Sequence, residues 1–237
     1  MGSSALNEYL EQESDARMVR TQDRPLVVGA FSRPAWVPIV GAGFIVVPAL
    51  AVLTFNPALT LFLVLGAVIY LGVYTLWLKP RTPLNVVVGG LAGSCAVLSG
   101  GAVVDAWTDP GVLTLAALIF VWSPTHFWSL ALACHEDYRR AGIPMLPIVV
   151  SPRGAAFWSV LHAGASSAGG LLLIGHPVLG AYYAVPALGA TGYLLLQGGR
   201  LLYHPTRKQA WRLFHASNFY LGLILLAICV DALLNLP

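Results

Sequence analysis

Charge is scarce in this chain. Asp, Glu, Lys and Arg make up 10% of its 237 residues, where a soluble domain carries about 25%. Hydrophobic residues account for 57%, which leaves too few polar side chains to cover a water-facing surface, so the composition excludes a soluble globular domain and points to an integral membrane protein. Cysteine is also sparse. Cys95, Cys134 and Cys229 lie within or at the end of apolar runs and lack C-x-x-C spacing, which excludes a disulfide framework and a thiolate metal site. No P-loop, Gly-x-Ser-x-Gly elbow or His-Glu-x-x-His motif occurs, so the usual nucleotide-binding, serine-hydrolase and zinc-protease signatures are missing. Basic residues cluster beside apolar runs with no aromatic RNA-binding motif, so the expected partner is a lipid bilayer and not nucleic acid. Residues 1–15 show neither the basic nor the apolar region of a signal peptide.

Long apolar runs are abundant. They cover residues 35–55, 57–78, 86–104, 112–134, 155–174, 178–202 and 213–234, each near the ~20 residues that a bilayer crossing needs. The expected fold is all-α, a polytopic membrane bundle of about seven transmembrane helices forming a single domain over residues 1–237. Basic residues supply an independent check. Arg17, Arg20, Arg24 and Arg33 precede the first run; Lys79 and Arg81 follow the second; Arg139, Arg140 and Arg153 follow the fourth; and Arg200, Arg207, Lys208 and Arg212 flank the last connection. All 13 basic residues thus fall on one side. Residues 56–57, 105–110, 175–177 and 231–237, on the other side, contain none. This alternation predicts that the basic side, including the N-terminus, faces the cytoplasm. Small residues at 89, 90 and 93, and at 164, 166, 169 and 170, mark close helix approach rather than chemistry.

The chemistry is expected at the polar start of the chain. Asn7, Glu11 and Asp15 recur every fourth residue, which places them on one face of a helix. Stacked carboxylates repel each other unless a hard cation sits between them. Arg17, Arg20 and Arg24 follow, and a guanidinium presents a fork of donors suited to phosphate oxygens. A metal-assisted diphosphate site is therefore one interpretation, and a solvated amphipathic helix is the other. A second cluster, His135-Glu136-Asp137-Tyr138-Arg139-Arg140, leads into a loop shaped by Gly142, Pro144 and Pro147. It either grips the same diphosphate or holds ordinary surface ion pairs. Tyr74 and Lys79 close the second run and Asn85 opens the third; Lys79 is either a snorkelling anchor or a phosphate contact. His126 lies inside an apolar run beside Pro124, which suggests a substrate contact or a partner for the carbonyl freed by the proline. His162, His176, His204 and His215 have no partner at metal-ligand spacing and are assigned packing or interfacial roles.

Several stretches together resemble the heme O synthases, or protoheme IX farnesyltransferases, of the UbiA superfamily of intramembrane prenyltransferases. They are Ala5 to Glu11, Asp15-Ala16-Arg17-Met18, Arg20 to Leu26, Tyr74 to Lys79, Thr82-Pro83-Leu84-Asn85, His126-Phe127-Trp128 and Asp137-Tyr138 through Pro147. The family's first acidic motif, Asn-x-x-x-Asp-x-x-x-Asp, falls on Asn7, Glu11 and Asp15, with Glu11 in place of the usual middle Asp. A Pro-Pro pair and a Gly-Trp common in the third run of the family are Ala96-Val97 and Gly100-Gly101 here.

The resemblance implies transfer of a farnesyl group from farnesyl diphosphate to a vinyl group of heme b, giving heme O. Heme b would be a substrate and not a cofactor, and Mg²⁺ would be the cofactor. Asn7, Glu11, Asp15 and Asp137 would be catalytic and hold the metal. Arg20, Arg24, Tyr74 and Lys79 would hold diphosphate, and His126 and Asn85 would line the heme pocket. A heme A synthase would act downstream, and the active site would face the cytoplasm of a bacterial plasma (inner) membrane. The family has nine helices with its acidic motif after the second, so this chain is expected to lack two. Three other functions fit parts of the pattern: a UbiA-type enzyme acting on a quinone or chlorophyll precursor, an inactive truncated member, and a transporter or heme-carrying subunit. The last should show paired histidines or charges near span centres, which are not found.

Overall fold

The computed structural model describes residues 1–234, and every regular element among them is helical. The chain opens with two short helices, α1 (Gly2–Leu10) and α2 (Gln12–Ala16). Turns then lead to α3 (Trp36–Val52) and α4 (Pro57–Ala67), which continues without a break into a π-helix, Val68–Leu78. There follow α5 (Asn85–Val103), α6 (Pro110–Ala133), the short α7 (His135–Ala141) and α8 (Leu146–Val149), then α9 (Pro152–Leu172), α10 (Ala181–Tyr203) and α11 (Arg207–Leu234).

Helix starts are encoded locally. Asn56, Asp109 and Ser151 each precede a proline and accept a hydrogen bond from the exposed N–H groups of the following turn: Leu59 N at 2.9 Å, Gly111 N at 2.8 Å and Gly154 N at 3.2 Å. Proline at the first helical position loses no bond there, and the capping oxygen satisfies one of the orphaned donors. Asp109 is held below the usual carboxylate range, chiefly by the Val112 and Gly111 N–H groups and also by nearby His176.

All seven apolar runs are helical, but among the described residues five helices are both long and apolar enough to cross a bilayer: Pro57–Leu78, Asn85–Val103, Pro110–Ala133, Pro152–Gly175 and Arg207–Leu234. Of the other two expected spans, α3 has 17 residues, about 26 Å of helix against a hydrocarbon core of about 30 Å. In α10 the polar Gln197 and Arg200 and the glycines at 189, 192, 198 and 199 lower the mean hydropathy. The outer faces carry exposed apolar side chains such as Val47, Leu61, Val185 and Leu226, the arrangement of a protein whose surroundings are lipid.

The centre of the bundle is α6, which packs on α5, α9 and α11, while α10 lies against α9 and α11. Interhelical bonds run from side chains to backbone carbonyls: Ser94 to Ala116 at 2.8 Å, Thr125 to Ser159 at 2.9 Å, Trp122 to Ser217 at 2.8 Å and Tyr220 to Ser166 at 2.7 Å. Glycine permits these approaches at particular points. A Cβ on Gly169 would stand 3.2 Å from Leu118, and one on Gly89 would stand 2.7 Å from the Tyr74 ring.

Asp231 takes part in a contact that the sequence does not announce. At the end of the bundle next to the outer connection 175–177, it is fully buried within α11 and accepts from Gly180 N at 2.7 Å and Tyr183 N at 3.1 Å. A carboxylate at that point caps the N-terminus of α10, where the helix dipole favours negative charge. Residues 235–237, the rest of that segment, lie outside the described residues.

Candidate active site

The acidic ladder forms despite a break in its helix. Glu11 has φ −103° and ψ 10°, and so separates α1 from α2. The four-residue spacing survives because Glu11 N bonds Asn7 O at 2.9 Å and Asp15 N bonds Glu11 O at 2.8 Å. Asn7, Glu11 and Asp15 are all buried. They line a cavity of about 140 Å³ together with Arg20, Arg24 and Lys79. Each ladder residue has a partner. Asn7 Nδ2 donates to Thr75 Oγ1 at 3.1 Å, Glu11 receives Lys79 Nζ at 2.5 and 2.6 Å, and Asp15 receives Arg24 at 2.6 Å. A solvated amphipathic helix is thereby ruled out for this face. Outside the cavity, Arg17 pairs with Glu13 on the exposed side.

The π-helix explains how Lys79 reaches the ladder. Lys79 N bonds Tyr74 O across five residues at 2.8 Å, and such winding advances about 4.4 residues per turn in place of 3.6. Tyr70 and Lys79 are nine residues apart, so an α-helix would place them roughly on opposite faces, whereas two π turns bring them into line. Tyr70 and Tyr74 stack with ring centroids 5.9 Å apart, and Lys79 Nζ stands 5.7 Å from the Tyr74 centroid. Thr75 Oγ1 donates to Tyr70 O at 2.8 Å while accepting from Asn7, which ties the π-helix to the ladder.

Tyr138 of α7 closes the same cavity and is buried. Burial pushes its phenol pKa up, and the Arg20 guanidinium beside it pulls the other way. Neither Tyr70 nor Tyr138 was singled out from sequence. Tyr138 stands next to Asp137 in a quoted motif, but Tyr70 falls in phase with Lys79 only once the helix is known to be π-wound.

Asp137 lies apart from the ladder. It pairs with Arg140 at 2.6 Å and lines a separate cavity of about 570 Å³. Arg20 borders both cavities and so joins them. Glu136 pairs with Arg139 on the surface at 2.6 Å, and that guanidinium holds the Glu136 carboxyl below its ordinary range. The loop after α7 turns at Gly142, whose φ of 70° suits glycine, with Gly142 N on Arg139 O and Ile143 N on Tyr138 O.

His126 and Asn85 stand elsewhere. His126 Nδ1 lies 3.2 Å from Ser217 Oγ, and its ring stacks on Trp122 at 4.5 Å and tilts on Phe214 at 4.6 Å. The carbonyl that Pro124 leaves free is that of Phe120, which faces Gly90, so His126 is bonded to α11 and not to the kink. Asn85 is fully buried, donates to Thr82 O at 2.7 Å and has no partner for its Oδ1. It lines neither cavity described above.

A third cavity, of about 230 Å³ and almost wholly apolar, lies between the π-helix, α5 and α6. Tyr70, Tyr74 and Phe127 line both it and the ladder cavity. A charged chamber and an apolar one therefore adjoin across the same three aromatic rings. That arrangement suits an amphiphile with an anionic head and a hydrocarbon tail.

The profile of the UbiA prenyltransferase family matches residues 1–224. This chain belongs to the UbiA prenyltransferase family. UbiA prenyltransferases generally use a divalent metal to bind diphosphate. Among relatives of the chain, the protoheme IX farnesyltransferase of Metallosphaera sedula is 39% identical over 98% of this chain and 81% of its own length. That of Sulfurisphaera tokodaii is 40% identical over 98% and 76%, and protoheme IX farnesyltransferase 2 of Paramagnetospirillum magneticum is 40% identical over 98% and 81%. Two solved structures share the fold. A digeranylgeranylglyceryl phosphate synthase superposes with TM-score 0.80 at 17% identity, covering 98% of this chain and 80% of its own. A UbiA homolog from Aeropyrum pernix K1 superposes with TM-score 0.70 at 23% identity, covering 98% and 84%.

Proposed function

We propose that this UbiA member is a protoheme IX farnesyltransferase that joins farnesyl diphosphate to a vinyl group of heme b and releases heme O and diphosphate. The observation that carries prenyl transfer is the charged ladder cavity adjoining an apolar chamber across Tyr70, Tyr74 and Phe127. Heme b as acceptor rests on the relatives at about 40% identity over nearly the whole chain, rather than on a UbiA fold shared by enzymes with other acceptors.

The donor set fits a hard divalent cation, since Asn7, Glu11 and Asp15 offer an amide oxygen and two carboxylates on one buried wall. Among the described residues no three His, Cys, Asp or Glu side chains converge as a cage. This suits Mg²⁺, which is commonly held by one or two carboxylates plus substrate phosphate oxygens. A cation held there would neutralise diphosphate charge, and Asp137, in the adjoining cavity, would need an ion of its own against the same diphosphate.

The chain's own residues do the rest. Lys79 and Arg24 exchange their carboxylate partners for phosphate oxygens, and Arg20 donates from the wall shared by the two cavities. The allylic C–O bond breaks with its electron pair leaving on diphosphate. Tyr70, Tyr74 and Phe127 present ring faces to the carbocation left behind. The vinyl π-bond of heme b attacks that carbon, and water adds to the resulting cation as hydroxide equivalent, releasing a proton. Apolar walls exclude water from the first cation. We further propose that this site faces the cytoplasm of a bacterial plasma membrane, because basic residues crowd its end of the bundle, and that a heme A synthase consumes the product. The test is to incubate membranes carrying this chain with farnesyl diphosphate, heme b and Mg²⁺. Heme O detected by mass supports the proposal, and unchanged heme b with intact diphosphate contradicts it.

A further inference from the structure

The largest cavity described above is used by the proposed chemistry only along the wall that holds Arg20 and Asp137. Its other walls carry Arg140, from the turn of α7, and Arg207, at the first position of α11, with Cys134 and Trp211 also lining the space. Three guanidinium groups thus converge on about 570 Å³, more room than a diphosphate needs beside its own cavity. Their partners are few. Arg140 shares Asp137 and is half exposed, Arg20 lies beside Tyr138, and the Arg207 side chain makes no hydrogen bond or ion pair among the described residues.

An aromatic wall leads inward from this cluster. The Trp211 ring meets Phe214 with centroids 5.6 Å apart, Phe214 meets His126 at 4.6 Å, and His126 stacks on Trp122 at 4.5 Å. These four rings follow the seam between α6 and α11 from the cavity into the bundle, and the Trp122 and His126 side chains are pinned by bonds to Ser217. Aromatic surface ending at a cationic mouth recognises a flat apolar ring system that carries acid groups on one edge.

Resting on heme b as acceptor, we propose that the cavity between α7 and α11 is the docking site for the porphyrin's two propionates, with Arg207 and Arg140 as their counter-ions and Trp211 as the first ring it meets. The charges account for orientation. A porphyrin held by its propionates at the cytoplasmic mouth directs its opposite edge, which bears the vinyl groups, toward the bundle interior. Arg20 borders both cavities, so the acceptor site and the diphosphate site share one wall. Arg207 is then a positioning and specificity residue, and it does not touch the bond that breaks.

The test measures absorbance titrations of the full chain in lipid nanodiscs with heme b and with heme b dimethyl ester, whose propionates carry no charge. For Arg207→Gln, heme b affinity falls by up to about fivefold, as expected for loss of one ion pair at an exposed site, while dimethyl ester affinity and farnesyl diphosphate binding match wild type. Arg207→Lys recovers part of the loss. Equal weakening for heme b and its ester would mean that Arg207 only shapes the cavity and would overturn the proposal, as would unchanged heme b affinity. A wild-type chain that binds neither heme form, or makes no heme O, would instead overturn the choice of acceptor. The two failures are therefore separable.

Discussion

Lys79 and Glu11, 68 residues apart in sequence, face each other with Nζ 2.5 and 2.6 Å from the two carboxylate oxygens. Their side chains are only 16% and 9% exposed. Removing one partner of such a pair leaves an uncompensated buried charge, worth about 3 kcal/mol of destabilisation. Lys79→Met should therefore lower stability by about that amount and raise KM for farnesyl diphosphate. Adding Glu11→Gln should restore most of the stability but not the KM. Denaturation in detergent together with steady-state kinetics reads both quantities, and a double variant that regained normal KM would deny Lys79 any phosphate contact.

Asp15 pairs with Arg24 within the ladder. Asp15→Asn should reduce kcat by at least about a hundredfold, because an acidic oxygen facing the leaving diphosphate is lost. Chelation with EDTA should silence the wild type, and Mg²⁺ should restore it. Asp137→Asn should also be severe, whereas Glu11→Asp, which places the family's usual residue there, should be milder. Near-normal Asp15→Asn turnover at limiting Mg²⁺ would remove the ladder from the reaction.

His126 belongs to the ring wall along α6 and α11. His126→Ala should raise KM for heme b by roughly tenfold, in line with loss of ring stacking and a polar contact. KM for farnesyl diphosphate should stay within error of wild type. A variant affected equally for both substrates would show that His126 serves packing alone.

Asp109 gives a pH-dependent prediction at the opposite end of the bundle. Its folded-state carboxyl is lowered by capping bonds from Val112 and Gly111, so its ionised form contributes stability above the unfolded-state value. That contribution is lost as pH falls through the lowered folded value. Asp109→Ala should thus destabilise the protein at neutral pH, with the difference from wild type shrinking in acid, while Asp109→Asn, still able to cap, should show little of this dependence. Thermal denaturation of the three proteins across acid and neutral pH measures the trend.

Much of the fold is legible in residue order because its causes are local. Apolar runs at bilayer length, Asn-Pro, Asp-Pro and Ser-Pro starts, and the one-sided arginines each follow from nearest-neighbour chemistry. The ladder is legible for the same reason, since i to i+4 spacing survives the break at Glu11. What sequence spacing conceals are features set by tertiary contact. The π winding of 68–78 hides the alignment of Tyr70 with Lys79, because an α-helical projection puts them on opposite faces. Asp231 caps another helix 48 to 51 residues away, a role no local pattern announces. Asp137 shares a sequence signature with the ladder but not its cavity, and Arg20 is the residue common to the two spaces.

Farnesyl transfer to heme b separates this chain from UbiA enzymes with other acceptors, and competition between acceptors tests it. Membranes carrying this chain would receive isotopically labelled farnesyl diphosphate, Mg²⁺ and equal amounts of heme b and an aromatic quinone precursor, with products separated and weighed by mass spectrometry. Label is expected in heme alone, with each product heme gaining one farnesyl chain and one hydroxyl, and no label in membranes carrying Asp15→Asn. Label in the quinone precursor, or heme that gains no farnesyl chain while diphosphate is released, would contradict it.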